Sequence, residues 1–358
     1  MRTSIRGPLR YFQEAGILRR SGPLVAEVGS KVLVLLTKGS LARVGGVLEE
    51  SITGAGCTCV FELFSGDITY AEIDRVAGIA REKGCDVIAG IGGGRVLDTA
   101  RAAADRLGRR LVIIPTTASS DAPCSAVAVI HDENGKAVEV RGVKRNPDLV
   151  LVDTEIIANA PAHFMSAGIG DALATYFEAR AFQQKENAAT GGRSSTCTAV
   201  AMSRLCYELI TRYGAEAVRA VENHEITYAL EETVHAALYL SGYGFENGNV
   251  AAAHATNEGF SVVPRCSKIL HGILVGFGVL VQLELEQADD GEKRQLREFM
   301  RAVGLPVNLE QLGLSDLTEE ELRSISEAAC AVAPMKNMPF DVTPDMVYRA
   351  IKNADEFQ

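Results

Sequence analysis

The sequence predicts an α/β domain over residues 1–158 followed by an all-helical domain over residues 159–358. Three observations predict it. Short apolar runs alternate with helix-periodic stretches up to about residue 155, the pattern of βαβ units around a parallel sheet. No run of strand length follows Pro161. Ala-rich helical segments separated by prolines fill the remainder.

The runs at 31–36, 87–91, 111–114 and 149–152 are apolar and of strand length. Between them, 68–83 and 95–107 place apolar residues at helical spacing. Asp132-Glu-Asn-Gly135 reads as a tight turn joining short antiparallel strands at 126–131 and 136–140. Helices are then expected near 164–183, 190–213, 214–221, 225–244, 247–259, 267–287, 291–303, 318–333 and 343–354. Pro264, Pro306, Pro334 and Pro339 fall between them as breakers. The boundary between the domains lies near 155–162.

Composition narrows the function. Hydrophobic content of 47% and charged content of 23% fit a soluble globular protein. A formal net charge of −10 without a long basic block argues against nucleic acid and against an anionic membrane surface. The N-terminal residues hold no apolar stretch of signal-peptide length. The most apolar run, 273–281, falls far short of the roughly 20 residues of a membrane span. A cytoplasmic chain without a membrane partner is expected. Eight cysteines without a Cys-x-x-Cys pair read as reduced thiols. Cys57 and Cys59 alone could mark soft-metal binding, but with no ligands nearby two strand thiols are the plainer reading.

Two segments carry phosphate-type chemistry. In Asp86-Val-Ile-Ala-Gly-Ile-Gly92-Gly93-Gly94-Arg95-Val-Leu97-Asp98 a strand runs into three glycines and a helix begins at once. Glycines let the backbone approach a phosphate, and free N–H groups at a helix start favour an anion. A plain tight turn fits the same residues, since Arg95 stands where a dinucleotide fingerprint has its third glycine. The second segment, Pro115-Thr116-Thr117-Ala-Ser119-Ser-Asp121-Ala-Pro-Cys-Ser125, is rich in hydroxyls at a strand's C-terminal end, where ligands bind in open α/β sheets. The plainer alternative is a turn whose hydroxyls cap their own backbone.

A third constellation is Asp171, His254 and His271. One carboxylate and two imidazoles are a common set for a catalytic zinc or iron with an open position. By residue type alone, both histidines read more readily as ordinary satisfied helix histidines than as ligands.

Gly90–Asp98, Pro115–Ser125, Asn146–Thr154, Ala167–Arg180, Tyr239–Glu246, Ala251–Phe260 and His271–Leu283 together resemble the glycerol dehydrogenase branch of the iron-containing alcohol dehydrogenase superfamily. The resemblance runs from about residue 5 to the C-terminus. It implies a Rossmann-like N-terminal domain, a helical C-terminal domain and an active site in the cleft between them. It also implies NAD, with NADP accommodated, and one catalytic Zn2+, a place Fe2+ also fits. Position by position, Asp171, His254 and His271 match the metal ligands. Asp121 matches a catalytic-site residue near the polyol hydroxyls. Thr37, Gly92, Gly93, Gly94, Arg95, Leu97, Asp98, Thr116, Thr117, Ser119, Ser125, Val127 and His131 match positions around the cofactor. The family forms homo-oligomers, from dimers to octamers.

Four departures stand out. The first strand ends in Leu36-Thr37-Lys38, where the family usually has an acidic residue for the adenosine ribose; this predicts that NADP is at least tolerated. Arg95 replaces a lysine, keeping the charge but changing the hydrogen-bonding fork. Asn257-Glu258 and Ile273-Leu274 replace the pairs His-Asn and Glu-Lys beside the two histidines. The expected activity is oxidation of glycerol or a related vicinal diol. The alternatives are reduction of 2-oxo acids or other small carbonyls, which the changes beside the ligands favour, and, from another class, a lyase like the dehydroquinate synthases, which resemble this chain far less around Asp171.

Overall fold

The computed structural model describes residues 5–133, 135–190 and 197–357, with backbone alone for 186–190. Its strands are β1 (Tyr11–Gln13), β2 (Lys31–Leu36), β3 (Thr58–Leu63), β4 (Val87–Gly92), β5 (Arg110–Pro115), β6 (Val127–His131), β7 (Ala137–Gly142) and β8 (Leu149–Val152). Around them lie helices α1 (Ser21–Ala26), α2 (Lys38–Gly54), α3 (Tyr70–Glu82) and α4 (Gly94–Leu107). The helical domain begins with α5 (Thr154–Ala158), α6 (Ala162–Thr190), α7 (Cys197–Glu222), α8 (Tyr228–His235) and α9 (Ser241–Gly248). It continues with α10 (Ala252–Phe260), α11 (His271–Leu285), α12 (Asp290–Ala302), α13 (Glu319–Ala331) and α14 (Pro344–Glu356).

Six strands form one parallel sheet in the order β1-β8-β5-β4-β2-β3, and β6 pairs with β7 in a separate antiparallel hairpin. The central strands β4, β5 and β8 are buried almost end to end, as parallel strands covered on both faces must be. Alternate residues of β2 divide between two cores: Val32, Val34 and Leu36 face one, Leu33 and Leu35 the other. The chain steps from β2 out to β3, then back past β2 to β4. That reversal puts a topological switch point between β2 and β4, where open α/β sheets bind ligands at the carboxyl ends of the strands.

In the helical domain α6 and α11 form the centre. Twelve of the fifteen residues of α11 are buried. The two helices touch through backbone: a Cβ on Gly272 would lie 1.9 Å from the Ala167 carbonyl oxygen, and one on Gly170 2.2 Å from that of Gly272.

Most strands and helices fall where the hydrophobic pattern places them; β1, β3 and α1 lie outside the runs it marks, and three further differences follow. Helix α2 was not legible because its four glycines dilute the pattern; Val44, Leu48 and Ile52 still bury one stripe, and Thr37 caps the first turn by accepting from the Ser40 N–H. Helix α7 runs straight through the break expected at 213/214. Gly214 is there for packing, since a Cβ on it would press within 3.1 Å of Phe299 and 3.3 Å of Ile169. Helices α8 and α9 are one helix interrupted by a π turn at Ala236–Leu240. Asn134 of the expected tight turn, and residues 191–196 within the helix expected at 190–213, lie outside the described residues.

Candidate metal and cofactor site

The three residues far apart in sequence meet. Asp171 lies in the middle of α6, His254 in the first turn of α10 and His271 at the start of α11. One ligand atom from each lies within 4.8 Å of the others. Asp171 is 1% exposed, and its Oδ1 sits 3.2 Å from Nε2 of His271 and 3.6 Å from Nε2 of His254. That buried Oδ1 has no hydrogen-bond partner. A buried carboxylate oxygen without a partner is costly, and a cation between it and the two imidazoles removes the cost. The donor set, one carboxylate oxygen and two imidazole nitrogens, fits a divalent zinc or iron.

The imidazoles are held from behind. Glu178, fully buried, meets Nδ1 of His254 at 2.7 Å through Oε2. Its Oε1 accepts from the backbone N–H groups of Ala251 at 2.7 Å and His254 at 2.9 Å, so one carboxylate caps α10 and fixes the ring. An acceptor on Nδ1 leaves Nε2 free for a metal. Asn257 Nδ2 lies 3.1 Å from Nδ1 of His271 and steadies the second ring. Burial alone would lower the His254 pKa; the charges of Glu178 and Asp171 outweigh it and raise it well above the ordinary value. Burial likewise opposes charge on Asp171, yet His271 and His254 prevail and hold its carboxyl well below the usual range.

Asp121 comes from the loop after β5 and stands beside the cluster. Its N–H donates to Asp171 Oδ2 at 3.1 Å, and its own Oδ2 accepts from the Ser241 hydroxyl at 2.8 Å. Burial first, and then the charge of Asp171, push the Asp121 carboxyl well above its ordinary pKa. Glu258, half-buried one turn beyond His254, is also raised by burial against the pull of His254 and His271. It adds an acid to the edge of the site.

The residues matched to the cofactor divide into two groups. Gly92, Gly93 and Gly94 join β4 to α4, next to the switch point. Gly92 has φ 155° and could hold a Cβ only 3.1 Å from Val96, while Gly93 and Gly94 face open space and no side chain caps α4. Thr116 and Thr117 line a cavity of about 500 Å³ with Arg43, Val44 and Val47 of α2 and Phe164 of α6. Thr37 caps α2 across the same strand ends. In the second group the polar atoms already serve the chain. Asp98 is buried against Arg101 and accepts from the Val129 N–H at 3.0 Å. Ser125 donates to the Ala122 carbonyl at 3.2 Å, and the Val127 carbonyl accepts from Arg101 at 2.8 Å. His131 meets Asp67 at 2.7 Å, with Arg95 3.7 Å from the same carboxylate oxygen. The Ser119 hydroxyl pairs with that of Thr117 at 3.2 Å, and the Leu97 side chain is in the core.

Sequence reasoning passed over Glu178, Ser241 and Thr175. The signal for Glu178 was present: it is an acid seven residues after Asp171 in the apolar part of α6, hence on the same face.

Comparison with known proteins agrees with this arrangement. A family profile described as iron-containing alcohol dehydrogenase matches residues 8–154. A glycerol dehydrogenase of Escherichia coli is 41% identical over 354 residues, 99% of this chain and 96% of its own length. A glycolaldehyde reductase of Halobacterium salinarum is 36% identical, covering 99% of this chain and 98% of its own. The crystal structure of a glycerol dehydrogenase from Schizosaccharomyces pombe superimposes with a TM-score of 0.94 at 30% identity, over 99% of this chain and 91% of that one. Sequence along almost the whole length, the sheet-plus-helices fold and the carboxylate–imidazole cluster agree: the chain belongs to the glycerol dehydrogenase branch of the iron-containing alcohol dehydrogenase family and is an alcohol or polyol dehydrogenase.

Proposed function

We propose that this chain is a zinc-dependent dehydrogenase that oxidises glycerol or a related vicinal diol to the hydroxyketone with NAD. The observation that carries the reading is the unpartnered, buried Oδ1 of Asp171 between two imidazoles, with the buried acid Asp121 beside it. Asp171, His254 and His271 are the residues that would hold the metal. The bound groups supply Lewis acidity toward an alcohol oxygen and a hydride acceptor, chemistry that side chains lack. The chain's own part is positional. Glu178 fixes the His254 ring, and Asp121 offers an oxygen to a substrate hydroxyl. The glycine turn Gly92–Gly94 and the cavity at Thr116 and Thr117 flank the strand ends and suit the pyrophosphate and adenosine parts of the cofactor.

In the same proposal residues 1–158 form the cofactor unit, residues 159–358 the metal unit, and copies of the chain assemble into a homo-oligomer. Among the described residues no helix is long and apolar enough to cross a membrane. Glu258 at the edge of the site favours the diol over the 2-oxo acid reading where it is ionised, because it then repels an anionic substrate; burial works against that charge.

The test is an absorbance screen of the nicotinamide with glycerol, 1,2-propanediol and dihydroxyacetone set against 2-oxo acids, with and without chelator. Diol turnover abolished by the chelator is expected; activity that survives complete metal removal refutes the reading. Asp171→Asn and His254→Ala are expected to lose bound metal and turnover while circular dichroism shows the fold kept.

A further inference from the structure

The π turn at Ala236–Leu240 inserts an extra residue per turn into the helix running from Tyr228 to Gly248, and so shifts the face that α9 presents. Its first two residues beyond the turn, Ser241 and Gly242, are buried against the loop that carries Asp121. A Cβ on Gly242 would lie 2.9 Å from that of Cys124 and 3.1 Å from the Asp121 carbonyl oxygen. Gly244 is as close to α6, where a Cβ would lie 2.4 Å from Thr175.

Within this contact runs a chain of hydrogen bonds that starts and ends on α6. The Ser241 hydroxyl donates to Asp121 Oδ2 at 2.8 Å. Having given its one proton there, it accepts from the Thr175 hydroxyl, 2.7 Å away. Thr175 lies one turn after Asp171 on α6, and Asp171 Oδ2 accepts from the Asp121 N–H at 3.1 Å. Ser241, Thr175, Asp121 and Asp171 are each more than nine-tenths buried. Oδ2 of Asp121 is thereby occupied, while Oδ1 has no hydrogen-bond partner among the described residues and is not sealed in.

We propose that Ser241, presented by the π turn, is a positioning residue that turns the Asp121 carboxyl so that only Oδ1 faces the substrate hydroxyls. This rests on the reading of Asp121 as the group that meets substrate. The hydroxyl touches neither metal ligands nor substrate and acts through Asp121. Without it the carboxyl is free to rotate, and the oxygen that orients a diol loses its fixed place.

The experiment is a double-mutant cycle in the zinc-loaded enzyme: wild type, Ser241→Ala, Asp121→Asn and the pair, with 1,2-propanediol as substrate. Zinc affinity by chelator competition and the unfolding midpoint are measured alongside. Ser241→Ala is expected to lower kcat/KM on the order of tenfold with zinc affinity unchanged, and to cost nothing further once Asp121 is Asn. Additive losses overturn the proposal, because they show that Ser241 does not act through Asp121. Thr175→Val keeps the Ser241–Asp121 bond and is expected to lose less activity; a loss as large as that of Ser241→Ala, tracking the drop in midpoint, means packing alone and also overturns it. Ser241→Cys, of similar volume but a weak donor, replaces the alanine variant should that one not fold. No diol oxidation by zinc-loaded wild type overturns the functional reading instead.

Discussion

Asp171 and Glu178 lie seven residues apart on one face of α6, and the ring of His254 sits between their carboxylates, with Nδ1 on Glu178 and Nε2 toward Asp171. One helix thus supplies both a ligand and the group that orients a second ligand on another helix. Glu178→Gln loses the charge and leaves a single acceptor oxygen for both the ring and the N–H groups of α10. It is expected to weaken zinc binding about 10–100-fold, measured by chelator competition; unchanged affinity would show that His254 needs no orienting partner.

The contact between α6 and α11 is expected to be intolerant of a single methyl. Gly272→Ala drives a carbon into the Ala167 carbonyl next to Asp171, so urea unfolding should show a loss of about 1–3 kcal/mol and metal content should fall with it. Gly46→Ala, where an added Cβ meets nothing within 4 Å, is the control and should be neutral or slightly stabilising.

Cofactor choice follows from the end of β2. Thr37 caps α2, Lys38 follows it, and no carboxylate stands there to repel a 2′-phosphate. The Michaelis constants for NAD and NADP are expected to lie within about tenfold of each other. A strong preference for NAD contradicts this reading of Thr37.

Glu258→Gln removes the extra charge beside the imidazoles. Relative to 1,2-propanediol, turnover of an anionic 2-hydroxy acid such as lactate should rise by about fivefold, the equivalent of roughly 1 kcal/mol between two partly solvated charges. An unchanged ratio means that Glu258 does not face the substrate.

His235 stacks on Tyr239 with ring centroids 5.6 Å apart, and burial lowers its pKa below the ordinary 6.5, outweighing the charge of Glu232. The unfolded chain therefore binds this proton at a higher pH than the folded one. The stability that neutral His235 contributes is complete above 6.5 and is lost as pH falls through the lower folded value. His235→Phe should flatten the acid limb of urea midpoints measured between about pH 5 and 7.5. A limb as steep as in wild type assigns the effect to other groups.

Much of this architecture was legible. The apolar runs at 31–36 and 149–152 are strands with those very limits, because central parallel strands must be apolar on both faces. The ligands were legible only through their neighbours, since neither an Asp nor a His at helical spacing announces a partner a hundred residues away. Glu178 was missed because an acid in a helix reads as a solvated residue until the helix proves to be buried. Ser241 was invisible for a different reason: a π turn leaves no compositional mark, and it decides which side chain faces Asp121. Gly214 misled, because a glycine that makes room for Phe299 looks the same in sequence as one that ends a helix.

The backbone contact at Gly272 and Gly170 also bears on how such a site can evolve. The spacing of Asp171 and His271 is set by main chain against main chain and owes little to the side chains around them. Neighbours that neither hold a ligand ring nor fill the core, such as Glu258, are therefore free to drift without moving the ligands. New substrate preferences can arise by exchanging those residues while the chemistry at the centre is inherited unchanged.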